Sequence, residues 1–478
     1  MTDVVATDRR LLAMPEPAPP PSRDARDWLR QNLFRSWGDA VLTVVASVVV
    51  AIVVYLSARF VFVTGRWDIV RTNLTLFMVG RYPRDQLWRV SLSLCCLAAY
   101  GGVLAGFVHR RQLAAGRAGP ELTMRARVVD IVGRLWPLLL GTLVLLSLSA
   151  TIGPWLLALG VVAAAVVGRV VGGHLGRRWL WPVVVVGIVG PILLIALLTA
   201  GASWTECGGM MLNVFLAAAG IGLSFPIGVL LALGRRAGRR TDSIAGGVVL
   251  TVLLGAPFLL WLLHRGFAVD DAVSWALLGL TIGLGFAGFA VGRHSTLPIV
   301  RVISVAYIEF FRGVPLFVLL LLGAIAIGFF LPVGMDAPGL VVRAIIVFTV
   351  FTAAYLAEIV RGGLQSLPRG QTEAAQALGL SPVRVNALIV LPQALRNVIP
   401  SIVGQFISLF KDTTLAGAAM GFLELLEVSD ATRAQPNYRG QNLTAETVVF
   451  VMFLFWVGCI TMSRESQRLE RKLGVGVR

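Results

Sequence analysis

Charge is scarce in this chain, and acidic charge is scarcer than basic charge. Of its 478 residues only 14% are charged, with 25 Asp and Glu against 42 Lys and Arg. Four cysteines and four histidines occur without metal-type spacing. No Gly-x-x-x-x-Gly-Lys-Ser/Thr sequence is present, so the chain has no P-loop for ATP. These shortages argue against a metal site, an ATPase and a membrane-bound enzyme built on clustered Asp, Glu or His.

Apolar sequence is what the chain has in abundance. Hydrophobic residues make up 57%, and the mean hydropathy is +0.81. Runs of the ~20 apolar residues that a membrane span needs recur about twelve times, and a bilayer requires such runs to be helices. We therefore predict an all-α polytopic membrane protein with about twelve transmembrane helices. The runs lie near 40–63, 89–108, 135–150, 153–168, 180–200, 209–233, 245–263, 274–292, 313–332, 340–360, 395–422 and 446–463.

The net charge of +17 sets the expected orientation. Basic residues cluster in alternate connections, which is the positive-inside pattern, so both termini are expected in the cytosol and nucleic acid is not expected as a partner. Connections at Gly201–Gly208 and Val333–Gly339 lack Lys and Arg and are expected outside. Residues 65–88 carry four arginines on that same side. We interpret them as an ordered extracytoplasmic hairpin, with Leu74–Val79 along the membrane surface.

A polar, helix-forming insert between two apolar runs is the most informative motif. Glu373, Ala374 and Ala375 favour a helix, Gly379 permits a sharp turn, and Pro392 can open the next helix at its first position. Ile389 and Leu391 complete the pattern before Pro392. This stretch resembles the EAA loop of bacterial ABC importer permeases. The resemblance implies that these seven residues couple the chain to a separate ATPase.

Further segments are similar to the polar amino-acid branch of that family. They are Leu223–Arg236, Tyr307–Pro315, Ala354–Ser366 and Lys411–Leu415. Trp67–Leu74 and Gly80–Pro83 resemble the long permease of general L-amino-acid importers. The resemblance implies an L-amino-acid importer subunit of the inner membrane with a five-helix, type I permease core. It also implies an ATPase dimer that holds ATP and Mg, a second related permease in a heterodimer, and a periplasmic amino-acid-binding protein. No cofactor is expected in this chain.

The domain organisation follows from these segments. We predict a cytosolic tail at 1–38, Pro-rich and ending in an amphipathic helix on membrane lipids, and a five-helix membrane extension at 39–204. The permease core at 205–463 and a cytosolic tail at 464–478 complete the chain. About sixty residues near 237–295, with two apolar runs, interrupt the core where relatives have almost none. Whether 209–233 or 274–292 is the first core helix stays open at this point.

Charged residues within or beside apolar runs are the candidates for substrate contact, because a charge in lipid costs roughly 3 kcal/mol or more unless it faces a cavity or partner. An amino acid presents a carboxylate, which Arg312 could grip, and an ammonium, which Asp412 or Glu358 could meet. The alternative is structural pairing of residues three apart on one helix face, Glu309 with Arg312 and Glu358 with Arg361. The candidates are Glu309, Arg312, Glu358, Lys411, Asp412 and Thr413.

A secondary amino-acid transporter without an ATPase is the alternative function. Such a protein would show inverted repeats and broken helices near the membrane midplane. The echo between 209–236 and 274–294 is direct and weak, so it does not support that class. Disabling a partner ATPase separates the two readings, because only an ABC permease would stop transporting.

Overall fold

The computed structural model describes residues 29, 32–114, 124–200, 202–204, 206–236, 299–330 and 337–473. These ranges are helical and contain no strand, only the isolated β-bridges Gly80–Cys207 and Gly209–Glu424. The all-α prediction is therefore confirmed. Eight helices of the described ranges are long and apolar enough to span a membrane, and one bent pair could make a ninth. The predicted runs at 245–263 and 274–292 lie outside these ranges, as does most of the predicted amphipathic helix before Trp37.

Contacts divide the chain into two compact units, residues up to Arg66 and residues from Trp67 onward. In the first, helix α1 comprises Trp37–Arg59 and continues through a π-helical turn at Phe60–Thr64. Ser36 caps its start by accepting a hydrogen bond from Asp39 N at 3.1 Å. None of the residues of α1 is buried within the protein. A helix that is apolar all round and unburied is suited to lipid.

The second unit begins with five helices, which belong to the N-terminal extension. Most of them are long enough to cross a membrane, and α4 carries a proline, Pro137, in its interior. The helices are α2 (Asp68–Val79), α3 (Leu87–Ala114), α4 (Met124–Leu148), α5 (Gly153–His174) and α6 (Leu180–Thr199).

Helix α2 corrects one prediction. We expected Leu74–Val79 to lie along the membrane surface, but α2 is packed into the protein. Ile69 and Phe77 are fully buried, and Phe77 meets Phe450 edge-to-face with ring centroids 5.2 Å apart. Ile69, Asn73 and Phe77 are four residues apart and share one helix face, so an amphipathic helix buries them together. The apolar residues of this segment therefore contact protein.

Helices α3 and α5 pack in very close contact. A β-carbon added at Gly102 would lie 2.2 Å from the carbonyl oxygen of Ala165, and one at Gly168 would lie 2.0 Å from that of Ala99. Neither position has room for any side chain. Small residues that let two backbones approach are typical of helix contacts in membranes, where the lipid supplies no hydrophobic drive.

The remaining helices form the permease half. Helix α10 lies at its centre, because 61% of the residues in its most apolar stretch are buried, against 0% for α1. The core around it includes the fully or almost fully buried Leu216, Leu320, Phe348 and Leu409. The helices are α7 (Gly209–Arg235), α8 (Ile299–Gly313), α9 (Leu316–Ala326), α10 (Leu340–Gln365), α11 (Arg369–Ala377), α12 (Pro382–Val385), α13 (Leu391–Asp412), α14 (Leu415–Met420), α15 (Leu425–Arg433) and α16 (Thr444–Leu473).

Two predicted runs do not form single straight helices. The 395–422 run stops at Asp412, since the hydroxyls of Thr413 and Thr414 bond back to the carbonyls of Phe410 and Lys411 and compete with helix continuation. The 313–332 run is the second half of a pair in which α8 and α9 meet at 105°. Pro315 lies at this bend, where it lacks an N–H and disfavours helix at the preceding residue.

Candidate functional site

The loop from Arg369 to Leu391, hereafter the 369–391 loop, turns sharply at Gly379. Helix α11 ends two residues earlier, at Ala377, and Gly379 has a φ of +74°, as the sequence led us to expect. Gly379 N donates to the carbonyl of Gln376 at 2.9 Å, and Leu380 N donates to that of Ala375 at 3.3 Å. These two bonds form a Schellman motif, which satisfies carbonyls left free at a helix end.

Buried residues of the 369–391 loop fix it to the spanning helices. Ala375, Val385 and Val390 belong to one apolar cluster with Ala232 of α7 and Val360 of α10, among others. Ala375 is only 2% exposed, and Ile389 and Leu391 are partly buried against the same cluster. Of the predicted coupling residues, Ala375, Ile389 and Leu391 therefore anchor the loop.

Other residues of the 369–391 loop are exposed. Glu373, Ala374 and Gly379 face outward, as a contact role requires. Leu378 is 81% exposed and Leu388 is 68% exposed. The motif did not identify these two leucines, although the position of Leu378 beside the turn glycine could have signalled it. Because they are exposed on a connecting loop, these two leucines are available for contact with a partner protein.

Pro392 lies at the start of α13 as predicted, but other helical turns precede it. Its helix opens at Pro382, runs as a π-helix over Asn386–Val390, and continues as α13 with Pro392 near its first position. Pro392 has no N–H, and its ring crowds the carbonyl four residues earlier. A π-turn, in which Leu391 N bonds to Asn386 O, is a recognised adjustment of a helix at such a site.

Five charged residues meet where α7, α8 and α10 approach the 369–391 loop, a region that we name the loop end. Glu358 pairs with Arg235, with Arg361 at 2.7 Å and with Arg312 at 3.7 Å. Glu309 pairs with Arg235 at 3.3 Å. The expected pairing of Glu358 with Arg361 is present, but that of Glu309 with Arg312 is not. Arg235 joins both glutamates and was missed, because it follows an apolar run like any interfacial arginine.

A second polar cluster lies where α7 begins and α13 ends, which we name the far end. Asn213 Nδ2 donates to Thr413 Oγ1 at 3.0 Å and to Glu424 Oε2 at 3.1 Å, and Asn213 Oδ1 accepts from Leu425 N at 3.0 Å. Asn213, Thr413 and Glu424 are all fully buried. Burial raises the pKa of Glu424, while hydrogen bonds from Leu426, Glu427 and Asn213 partly oppose the shift.

The six substrate candidates are therefore divided between two places. Asn213 and Arg235 stand at opposite ends of α7, and 22 intervening steps of ~1.5 Å put them about 33 Å apart. An amino acid cannot bridge that distance. Glu309, Arg312 and Glu358 belong to the loop end, whereas Lys411, Asp412 and Thr413 belong to the far end. Thr413 is also buried with its hydroxyl already bonded, so its predicted substrate contact does not fit this structure.

Helix α13 joins the two ends with a polar stripe. Polar or small residues recur every three or four positions along it, so they share one helix face. Several of them are exposed although α13 has the length and hydropathy of a membrane span. We name this face the α13 stripe: Gln393, Arg396, Asn397, Ser401, Gly404, Gln405, Ser408, Lys411 and Asp412.

Metal chemistry finds no support in the described ranges. No group of three or more His, Cys, Asp and Glu residues lies close enough there to hold a metal ion. The two ends and the α13 stripe offer hydrogen-bonding and charged groups that can bind a polar ligand.

Comparison with known proteins agrees with this architecture. Residues 279–475 match the family model described as binding-protein-dependent transport system inner membrane component. The chain is 30% identical to BztC of Rhodobacter capsulatus, a glutamate/glutamine/aspartate/asparagine transport system permease protein, over 99% of both chains. It is 28% identical to YhdY of Escherichia coli, an inner membrane amino-acid ABC transporter permease protein, over 97% of this chain and 96% of YhdY.

A shorter match involves a second protein, which is named for the same transport system as BztC. The chain is 40% identical to BztB of Rhodobacter capsulatus over 119 residues, which cover 25% of this chain and 27% of BztB. The match to BztC extends over nearly the whole of both chains, the N-terminal extension included. With a helical membrane core and an anchored 369–391 loop, the chain belongs to the family of inner-membrane permease components of binding-protein-dependent ABC transport systems.

Proposed function

We propose that this chain forms the membrane path of an ATP-driven importer for L-amino acids and receives force through the 369–391 loop. The observation that carries the proposal is the construction of that loop. Its buried residues pack against α7, α8, α10 and α13, while Leu378 and Leu388 are exposed. A partner that grips the exposed leucines would therefore move four helices at once.

The partner on this loop would be a separate ATPase. The chain has no P-loop of its own, so ATP and Mg would bind to that subunit, of which an importer would carry a pair. The positive φ of Gly379 fixes the angle between the two halves of the loop. A fixed angle suits an element that transmits a push, because a flexible connection would absorb it.

The α13 stripe supports a path through this chain. Exposed polar groups on a membrane span are costly against lipid and face water-filled cavities or protein. Lys411 and Asp412 are adjacent at the far end of the stripe and offer one cationic and one anionic group. We propose that they contact the carboxylate and the ammonium of a passing amino acid. Arg312, Glu309 and Glu358 could contact it only at the loop end, where they lie.

The proposed substrate class rests on the names of two similar proteins. BztC bears the name of a glutamate, glutamine, aspartate and asparagine system, and YhdY that of an amino-acid transporter. We propose a broad range of polar L-amino acids. Along the α13 stripe, a neutral polar side chain of the substrate would find hydrogen-bond partners, and a charged one would find ionic partners.

A second, related permease is proposed to cover the α13 stripe. BztB and BztC carry the name of one transport system, and both are similar to this chain. Two different permease chains would then face each other across the path, with a periplasmic binding protein delivering the amino acid.

Orientation is proposed from the basic residues, with the loop end and both termini in the cytoplasm of the inner membrane. The test uses single cysteines at Gln371 and Pro338 in a background without the four native cysteines. An impermeant thiol reagent added outside intact cells should label the Pro338→Cys variant only. Labelling of Gln371→Cys from outside would reverse the orientation.

The coupling role is tested by Leu378→Asp in the complete importer. We expect uptake to fall at least tenfold and ATPase copurification to weaken, because a charge replaces a large exposed apolar contact. Leu469→Asp is the control, since Leu469 is also exposed but lies on α16. Normal coupled uptake by Leu378→Asp would remove the loop from the coupling role. Uptake that persists when the ATPase is disabled would instead favour a secondary transporter.

A further inference from the structure

A cavity of about 380 Å³ lies at the loop end between α7, α8 and α10. Four arginines and one glutamine line it, and no carboxylate does so in the described ranges. Like charges that share a concave space beside apolar helices are costly unless a partner or ligand neutralises them. The lining residues are Arg235, Arg236, Arg301, Arg361 and Gln365.

The hydrogen-bond acceptors that the described residues place around the cavity are fewer than the N–H donors of its arginines. Arg235 and Arg361 share Glu358, and Arg235 also meets Glu309. Arg236 Nη1 donates to the carbonyl of Leu364 at 3.3 Å, and no acidic partner of Arg301 lies among the described residues. Each guanidinium carries five N–H donors. Within the described ranges, two glutamates cannot neutralise the four lining arginines, so this part of the protein gives the cavity a net positive charge.

The position of the cavity relative to the apolar helices indicates where its ligand comes from. The candidate membrane spans of α7 and α10 end at Arg235 and Gln365, which are themselves lining residues. The cavity is therefore at the level where apolar sequence stops, and lipid headgroups lie at that level. This holds whichever side of the membrane the loop end faces.

We propose that this cavity binds a phosphate-bearing anion, in the form of a phospholipid headgroup or as free phosphate. Guanidinium groups match phosphate oxygens through paired N–H bonds, and several arginines can share one phosphate. The cavity is large enough for a headgroup and too small for a folded partner. This site is separate from the amino-acid path along the α13 stripe.

A bound phosphate would join three helices at the base of the 369–391 loop. It would bridge Arg235 and Arg236 at the end of α7, Arg301 of α8 and Arg361 of α10. The carbonyl of Leu364, which Arg236 contacts, belongs to a residue in the apolar cluster that buries Ala375. The ligand would thus hold together the elements on which the loop is anchored.

The experiment compares Arg236→Gln/Arg301→Gln with the wild type in the complete importer. These two arginines lie outside the Glu358 network, so the ion pairs at the loop end are retained. The control is Arg111→Gln/Arg471→Gln, which removes the same charge from exposed positions that do not line the cavity. Retained phosphatidylglycerol is counted by native mass spectrometry, and inorganic phosphate is titrated by thermal shift in phosphatidylcholine nanodiscs.

We expect the cavity variant to retain about tenfold less phosphatidylglycerol or to bind inorganic phosphate about tenfold more weakly, because two charge-assisted contacts are removed. The control should stay within about twofold of the wild type in both measurements. Loss of phosphatidylglycerol alone identifies a headgroup, and loss of inorganic phosphate alone identifies a soluble ligand. Equal binding by the cavity variant and the control overturns the proposal. So does a cavity that binds L-glutamate but neither phosphate probe. If the double variant does not fold, Arg301→Gln alone, at an exposed position, gives the same comparison.

Discussion

The two ends of α7 show what distinguishes a buried polar cluster from an open one. At the far end, Asn213, Thr413 and Glu424 are fully buried, and their side-chain groups meet one another or nearby backbone. At the loop end, Glu358 is surrounded by three arginines whose side chains are 26% to 38% exposed. These three residues of the far end form a closed cluster, whereas the ion pairs of the loop end are charged and accessible.

This difference has a physical consequence. A buried hydrogen-bond network is costly to break, since each buried polar group left without a partner destabilises the folded state by about 1–3 kcal/mol. Exposed ion pairs contribute little and are screened by salt. The far end therefore acts as a structural fastening between α7, α13 and α15. The loop end can exchange its partners at small cost, as a region that moves or binds ligands requires.

Removal of Asn213 should show the largest effect on stability. Asn213→Leu leaves Thr413, Glu424 and Leu425 N without their shared partner, and we expect a loss of about 2–5 kcal/mol. Thermal unfolding of the purified protein measures it. Asn397→Leu is the matched control at the loop end, because Asn397 is exposed and makes one 3.3 Å bond to Ser366. Equal destabilisation by both variants would contradict the contrast between the two ends.

Substitution of Gly379 should leave the fold and impair coupling. A β-carbon at φ +74° costs about 1–2 kcal/mol of local strain, although no atom lies within 4 Å of its position. We expect Gly379→Asp to insert normally, to bind its ATPase weakly and to lose stimulation of ATP hydrolysis by the loaded binding protein.

The matched control for that variant is Gly370→Asp. Gly370 is exposed in the same loop, has open space around it and lacks a positive φ. It should therefore retain uptake and ATPase association. If Gly379→Asp also retained both, the turn geometry would have no part in coupling.

The charged network at the loop end should respond to salt. Glu358→Gln leaves three arginines without their shared carboxylate, and after allowance for their exposure we expect a loss of about 1–2 kcal/mol. The loss should shrink in high salt, because added ions screen the interactions that remain in the wild type. Melting temperatures at low and high salt measure this, with Asp430→Asn in the exposed Arg433 pair as control. A salt-independent loss would mean that the loop end is as closed as the far end.

The pH dependence of the far end should be the smallest effect. Burial raises the pKa of Glu424 above its ordinary value of 4.5. A carboxyl group with a higher pKa in the folded state stabilises the fold at low pH, and that contribution is lost as pH rises through the folded pKa. Melting temperature relative to Glu424→Gln should therefore decline as pH increases above 4.5. A relative melting temperature that rose over this range would show that the hydrogen bonds outweigh burial.

Sequence alone established the local features of this protein. Apolar run length predicted the spanning helices, because the bilayer leaves backbone groups no other partner. Gly379 was identified as the turn residue, since a left-handed backbone favours glycine. The family and the position of the 369–391 loop followed from short motifs whose spacing is local. The exposed Leu378 and Leu388 lay within the same segment but were not singled out.

Tertiary structure decided how distant residues meet. Asn213 and Glu424 are 211 positions apart, and Arg235 and Glu358 are 123 apart, so no local pattern could pair them. Six charged or polar candidates looked alike in sequence, yet packing divided them between two ends of α7. Periodicity indicates which residues share a face but not what covers it. Burial of α2, the bend at Pro315 and the cavity among four arginines depend on neighbours that only the folded chain supplies.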